Sequence, residues 1–356
     1  MNYALIMAVG IGTRLWPMSR ANRPKQALQL VGNRTMFQHS VDRLAPVFKP
    51  ESIFVVTRAE HAPILSEQVP ELPQANFIIE PEGRGTAPAI ALAAIHLRRL
   101  DPQATMVVVT ADHYIAKEAV FRHAVQAAIQ AAEQGHLVTL GISPTAPSTG
   151  YGYIQQGRQL GTALDLDYFQ VERFTEKPDL DTARRMVQSG QYSWNSGMFV
   201  WRVDRIMEEF ARQMPEFYAQ LSQVEKTLAT PAYEETLKHI WPRVAKQTID
   251  YGVMEGAADV VVFPVEIGWS DIGSWASLLE LLPPDAEGNI ITGPTLGIDT
   301  HDSLIFGKDR LIATIGIHGL VIVDTADALL ICPKEREQEV REVVRRLGEA
   351  GQERWL

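Results

Sequence analysis

The sequence predicts an α/β protein built on a doubly wound, mostly parallel sheet and followed by a small β-rich domain, and three observations carry that expectation. From residue 3 to about 265, short apolar runs alternate with amphipathic segments, the pattern of strands joined by crossover helices. A Gly-rich turn, Gly10-Ile11-Gly12, directly follows the first apolar run, at the strand end where open α/β sheets take up ligands. From Gly288 onward the chain changes to short β-rich stretches broken by turn residues.

Taken in order, Met1 to Val9 reads as a first strand, since it has neither the basic start nor the cleavage site of a signal peptide. Ala87 to Leu100 reads as a helix with Thr86 as N-cap and Pro88 in the first turn. Val107 to Val109 is a buried strand, and Val120 to Gln134 is a helix closed by Gly135. Leu137 to Leu140, Tyr168 to Phe174 and Val260 to Phe263 are further strands. Trp194 to Leu221 reads as a strand followed by a helix, and Tyr233 to Val253 adds helical material, together a lid or lobe. Leu311 to Ile315 and Leu320 to Val323 are strands of the β-rich part. Glu337 to Leu347 closes the chain as a surface helix with Val340, Val343, Val344 and Leu347 on one face. The linker at Pro283-Pro284 sets the expected domains at 1–284 and 285–356.

Composition narrows the function. A length of 356 residues, 46% hydrophobic and 21% charged, describes a folded globular chain. A net charge of −10 with no basic stripe argues against a nucleic-acid partner. The single Cys332 rules out a disulfide framework within the chain and fits a cytoplasmic home. No run approaches the roughly 18 apolar residues of a membrane span, so no membrane partner is expected.

Gly10-x-Gly12 lacks the third glycine of a dinucleotide fingerprint, because Leu15 stands there, and the Gly-Lys-Ser/Thr ending of a Walker loop is also absent. What remains is a turn whose N–H groups cradle phosphate, followed by the cations Arg14, Arg20 and Lys25 held between Pro17 and Pro24. That combination points to a polyphosphate. The competing reading is a tight structural turn with no ligand.

Asp112 follows the apolar run 106–109, and Asp271 lies in Gly268-Trp269-Ser270-Asp271-Ile272-Gly273. As a pair they suit Mg²⁺, which takes one or two carboxylates together with substrate phosphates and water. Asp271 alone reads equally as a helix N-cap. Glu176-Lys177 offers a carboxylate for a sugar hydroxyl beside a cation for a phosphate, or else a salt-bridged surface turn. Trp194 to Phe199 has the aromatic, amide and glycine of sugar recognition, and equally those of a strand entry. His113 has no Ser or Cys elbow to serve, so hydrolase chemistry has no support.

These motifs together resemble the mannose-1-phosphate guanylyltransferase family of sugar nucleotidyltransferases. The resemblance spans nearly the whole chain and is carried by GIGTRLWPMSRANRPKQ, EPEGRGTAPAIALAA, TADH, TGYGYI, FTEKP, WNSGMF, GWSDIGSW and VDTADALLICPKEREQEVREVV. It implies a Rossmann-like nucleotidyltransferase domain and a short left-handed β-helix. It also implies transfer of GMP from GTP to mannose 1-phosphate, giving GDP-mannose and pyrophosphate. By the same resemblance Gly10, Gly12, Thr13, Arg14 and Lys25 hold the triphosphate, while Glu80, Pro81, Arg84, Thr86 and Ala87 lie near the nucleoside. Asp112 and Asp271 bind Mg²⁺, and Gly152, Tyr153, Glu176, Lys177, Asn195 and Gly197 surround the mannose 1-phosphate. A homo-oligomer, with a dimer favoured, is expected. No cupin-like isomerase domain follows, so a second isomerase activity is not expected.

Two positions depart from the family pattern. Val9 stands where a second glycine is usual and is expected to push the loop away from its ligand. Gly85 stands where an asparagine is usual and removes a polar contact.

Overall fold

A computed structural model describes residues 1–10 and 12–356, so Ile11 of the Gly-rich turn lies outside the described residues. The chain groups into two compact units. The first comprises Met1–Val9, Ser40–Ala111 and Ile115–Trp269, and the second Gly10–His39, Asp112–Tyr114 and Ser270–Leu356. This grouping crosses the expected 284/285 boundary, because the Gly-rich segment packs with the C-terminal third of the chain.

The first unit is organised by a nine-stranded sheet. Its strands are β1 (Asn2–Ala8), β2 (Ile53–Arg58), β3 (Phe77–Glu80), β4 (Thr105–Thr110), β5 (Leu137–Ile142), β6 (Tyr153–Ala163), β7 (Leu166–Thr175), β8 (Tyr192–Arg202) and β9 (Val260–Val265). They lie in the order β3-β2-β1-β4-β8-β5-β9-β7-β6, with β8 also meeting β6. The β3-β2-β1-β4 block is parallel throughout, with Leu5 in register with Phe54 on one side and Val108 on the other. β9 runs parallel to β5, whereas β8 is antiparallel to both β4 and β5. The hairpin β6–β7 completes the sheet.

Continuous apolar runs such as Met106 to Val109 are what a strand buried on both faces requires. Helix α1 (Thr86–Leu100) is correspondingly alanine-rich and buried along most of its length. Tyr3, Leu5 and Met7 share a core with Ala89, Ile90 and Leu92 of α1. Helix α2 (Glu118–Glu133) buries Phe121, Ala124, Val125, Ala128 and Ala132. The expected lobe consists of α3 (Val203–Gln213), α4 (Pro215–Thr227) and α5 (Tyr233–Ile240), then a π-helical turn, Asp250–Met254. Its apolar side chains Ile206, Phe210, Leu221 and Leu237 belong to the α1 core, so the lobe is continuous with the unit and does not hang from it as a lid.

One local expectation is corrected. Thr86 is the first helical residue and Gly85 occupies the cap position, with no side-chain cap. The Thr86 hydroxyl instead accepts the backbone N–H of Ile249 at 2.8 Å, a tertiary partner that no local sequence rule anticipates.

In the second unit, β10 (Ile290–Thr292), β12 (Leu304–Phe306) and β14 (Leu320–Asp324) stack in parallel, placing Leu304 between Ile290 and Val321. β11 (Thr295–His301) pairs in parallel with β13 (Ile312–His318), and β15 (Leu329–Pro333) closes antiparallel on β14. Parallel rungs of short strands make this a β-helix-like domain. Buried hydroxyls bridge the rungs, as between Thr300 and Thr314 at 2.8 Å. Helix α6 (Trp275–Leu281) and the closing helix α7 (Val340–Glu349) pack on it. Val340, Val344 and Leu347 face this core as expected, while Val343 is exposed. Leu15, Trp16, Leu28 and Leu30 lie in the same core, which is why the Gly-rich segment belongs to this unit. Among the described residues no helix is long and apolar enough to cross a membrane.

Candidate active site

The Gly-rich turn is shaped by what lies over it. Gly12 sits at φ +78°, and a Cβ there would approach the Lys25 Cβ to 2.5 Å, so both the backbone and the space demand glycine. Its carbonyl accepts the Leu15 N–H at 3.0 Å and the Ser19 hydroxyl at 2.7 Å, which tightens the turn into the 3₁₀ segment Thr13–Leu15. Gly10 and Thr13 are exposed, and Arg14 is half-buried with no ion-pair partner among the described residues. Exposed backbone at Gly10 and Thr13 beside a guanidinium is a combination able to take up an anion.

Arg20 is used otherwise. Its guanidinium donates to the Trp355 carbonyl and to Asp327, both at 3.0 Å, and lies 5.2 Å from the centre of the Trp16 ring. The Trp16 indole donates to the same Trp355 carbonyl at 2.7 Å. The third cation of the loop is therefore a brace to the C-terminal segment, which leaves Arg14 and Lys25 as the two loop cations not tied to it.

Lys25 is only 4% exposed. Its ammonium donates to the Asp112 carboxylate at 2.9 Å and to the Asp271 main-chain carbonyl. Burial pushes the Asp112 carboxyl up, but the charges of Lys25 and then His113 outweigh it, holding the group below the usual carboxylate range. Asp271 does not cap helix α6: Ser274 does, accepting the Ser277 N–H, while the Asp271 carboxylate accepts from Gly273 at 3.0 Å. An ammonium already bridges the two aspartate residues, so the junction accommodates a cation. No cluster of three or more His, Cys, Asp or Glu suited to a metal occurs among the described residues. The oxygens that the ammonium joins are the Asp112 carboxylate and the Asp271 main-chain carbonyl, hard donors of the kind a divalent cation takes together with substrate oxygens and water.

The stretch 80–87 lies at the end of β3. Glu80 is 1% exposed and accepts the Arg84 N–H at 2.9 Å. Burial pushes its carboxyl up to about 6, with the Arg84 hydrogen bond opposing. Arg84 pairs with Glu82 and with the Pro242 carbonyl. Gly85, at φ +94°, leaves the space through which the Gln247 carbonyl approaches, and a Cβ would land on that oxygen. The departure at Gly85 is therefore fitted to a backbone contact: Gln247 donates to the Arg84 carbonyl at 3.0 Å and accepts from Ala87 at 3.2 Å. Pro81 is exposed, whereas the Ala87 side chain is fully buried. Glu80 and Ala87 hold this loop from beneath, leaving Pro81, Arg84 and Thr86 nearer its surface.

Gly152, Glu176, Lys177, Asn195 and Gly197 come together. A Cβ on Gly152 would meet Glu176 Oε2 at 2.5 Å, and Glu176 Oε1 holds the Lys177 ammonium at 2.7 Å. Asn195 donates its N–H to the Gly152 carbonyl at 2.8 Å, and its side-chain oxygen accepts from Gly197 at 3.1 Å. Gly197, at φ +67°, sits where the register between β5 and β8 shifts. Tyr153 is the exception, since its ring is fully buried and its hydroxyl donates to the Ser148 carbonyl. It forms the wall behind the cluster. Tyr151 stacks edge-on between Trp194 and Trp269, with ring centres 5.0 and 5.2 Å away.

Val9 does not intrude as expected, for it packs partly buried against the apolar core of the first unit. Sequence reasoning missed Asp250, whose carboxylate accepts the Asn195 side-chain amide at 2.6 Å. Nothing local in Thr248 to Tyr251 announces it, because a π-helical turn has no periodic signature.

The nucleotidyl transferase family profile matches residues 3–287, and that of the MannoseP isomerase/GMP-like beta-helix domain matches 293–347. The chain is 42% identical to the mannose-1-phosphate guanylyltransferase of Escherichia coli (strain K12) over 98% of its own length and 74% of that protein's. It is 43% identical to mannose-1-phosphate guanylyltransferase ManC of Salmonella typhimurium, with the same coverage of 98% and 74%. A solved structure from Thermus thermophilus, named a mannose-1-phosphate geranyltransferase, matches with TM-score 0.88 at 33% identity over 98% of this chain and 99% of that one.

Proposed function

Because the chain belongs to the nucleotidyl transferase family, and within it to the mannose-1-phosphate guanylyltransferases, we propose that it transfers GMP from GTP to mannose 1-phosphate, forming GDP-mannose and pyrophosphate. The observation that carries this reading is the Gly12 turn folded over Lys25, whose ammonium joins Asp112 to Asp271.

A phosphate oxygen of mannose 1-phosphate attacks the α-phosphorus of GTP in line. The bond to the β-phosphate breaks, and pyrophosphate leaves with its electrons. No protein nucleophile is needed, so rate comes from positioning and charge. Gly10, Gly12 and Thr13 offer N–H groups to the triphosphate, and Arg14 and Lys25 neutralise the leaving pyrophosphate. Glu80, Pro81, Arg84, Thr86 and Ala87 form the nucleoside loop. Lys177 holds the sugar phosphate, and Glu176, Gly152, Tyr153, Asn195 and Gly197 form the sugar end. Asp112 and Asp271 would hold the family's divalent metal, assigned here as Mg²⁺, which would supply screening of charge between the phosphates.

The functional division proposed is 1–284 for transfer and 285–356 for the β-helix-like part, supported by the two family profiles. Exposed Leu296, Ile298 and Ile315, at 57, 51 and 72%, support a homo-oligomer, with a dimer favoured. The lone Cys332 supports a cytoplasmic setting.

The test is a pyrophosphate-release assay with Mg²⁺, mannose 1-phosphate and each nucleoside triphosphate in turn. GTP is expected to give the highest kcat/KM. Preference for another triphosphate or hexose 1-phosphate reassigns the substrate, and absence of turnover with every pair marks a silent, sugar-nucleotide-sensing homologue.

A further inference from the structure

We propose that Asp250 is a specificity-determining residue of the sugar end, accepting a hydrogen bond from a ring hydroxyl of the hexose 1-phosphate. The proposal rests on the reading of Gly152, Glu176, Lys177 and Asn195 as the sugar end.

Asn195 has little freedom to serve a ligand by itself. Its side-chain oxygen takes the Gly197 N–H at 3.1 Å, and its amide nitrogen is directed at Asp250 at 2.6 Å. That fixes which way the amide points, and makes Asp250 the acceptor of the pair. Asp250 forms no ion pair with Lys or Arg among the described residues, although Glu176 and Lys177 both act on it electrostatically. A half-buried carboxylate with one neutral partner carries a desolvation cost. Burial accordingly drives its carboxyl above the usual range, with the Asn195 bond opposing and the Glu176 charge adding.

The backbone holds this carboxylate with care. Asp250 opens the π-helical turn Asp250–Met254, and such turns recur at functional sites. The strap leading into it is tied three times to the nucleoside loop: Gln247 to the Arg84 carbonyl, Ala87 to the Gln247 carbonyl, and Ile249 to the Thr86 hydroxyl. A position anchored this way suits ligand geometry more than packing.

The chemistry of the cluster is that of a phosphorylated polyol. Glu176 and Asp250 supply acceptors for hydroxyl protons, Lys177 supplies a donor, and Asn195 orients Asp250. A site built to hydrogen-bond a hydroxyl rejects an analogue lacking it strongly, because its buried acceptor is then left unpaired.

The experiment is a cycle between residue and hydroxyl. Asp250→Asn and the wild-type enzyme are assayed with mannose 1-phosphate and with its singly deoxygenated analogues, with Glu176→Gln and Lys177→Ala as references. Asp250→Asn is expected to raise KM for mannose 1-phosphate roughly 10- to 100-fold, the worth of a hydrogen bond to a charged group, while KM for GTP moves less than about twofold. One deoxy analogue should lose as much with the wild-type enzyme and nothing further with the variant. Equal rises in both KM values, or full additivity for every analogue, would overturn the assignment. If Glu176→Gln and Lys177→Ala also leave mannose 1-phosphate binding intact, the reading of the sugar end falls with it. If they weaken binding and Asp250→Asn does not, only Asp250 falls. Should Asp250→Asn fail to fold, Asp250→Glu enters the same cycle with the same two outcomes.

Discussion

The Lys25 ammonium lies 2.9 Å from the Asp112 carboxylate, in a position only 4% exposed to solvent. A substrate phosphate or a metal must compete with an ion pair already formed. Lys25→Ala should therefore lower kcat about 10²-fold or more, the usual cost of losing one preorganised electrostatic group, with circular dichroism unchanged. Asp271→Asn should act similarly. A variant with wild-type turnover would remove its residue from the reaction.

Gly12→Ala meets two obstacles at once: a left-handed backbone and the stem of Lys25 at 2.5 Å. The expected loss is at least about 1 kcal/mol of stability, together with a fall in kcat as Lys25 is displaced. Chemical denaturation and turnover measured on one preparation check both. If stability falls while kcat holds, Gly12 serves only the fold.

Gly85→Asn restores the residue usual in the family, yet here it should destabilise, since the Gln247 carbonyl occupies the space a Cβ requires. A lower melting temperature and a raised KM for GTP are expected. A neutral substitution would show that the Gln247 strap moves freely.

Glu80 gives a pH signature. Its folded-state pKa of about 6 lies above the ordinary 4.5, so between those values the native protein keeps a proton that the unfolded chain has released. Stability is then fully present below about pH 4.5 and declines as pH rises through 6, by up to about 2 kcal/mol. Glu80→Gln retains an acceptor for Arg84 and removes the charge, so its stability relative to wild type should improve across that window. A difference independent of pH rejects the account.

Trp16→Phe deletes the indole donor to the Trp355 carbonyl, leaving Arg20 as that oxygen's side-chain donor among the described residues. About 1 kcal/mol is at stake, which should appear as a several-fold rise in KM for GTP, with kcat little changed. Loss of thermal stability with unchanged KM would make the contact merely structural.

What was legible in the sequence follows from which forces are local. The runs at Met106 to Val109 and Leu137 to Leu140 and the alanine-rich 87–100 segment announce buried strands and a buried helix because periodicity and composition are properties of a short window. Lys25, Asp112 and Asp271 were recognisable as chemistry, and the structure joins them through one ammonium. Three features were not legible. Thr86 resembles a helix cap until Ile249 arrives from 163 positions away. Arg20 resembles a phosphate cation until Trp355 arrives from 335 positions away. Asp250 resembles an ordinary surface acid until Asn195 arrives from 55 positions away. Each of these is decided by a distant partner, and a window of sequence holds no record of it.

The contact between Trp16 and Trp355 has an optical consequence. Trp275 donates its indole N–H to the Trp16 carbonyl at 3.3 Å, so three of the seven tryptophans form a hydrogen-bonded cluster in the unit that holds the Gly-rich segment. The remaining four, Trp194, Trp201, Trp241 and Trp269, belong to the other unit. Intrinsic emission thus divides into two populations, and in a variant lacking those four the residual fluorescence would follow the loop alone, without any attached dye.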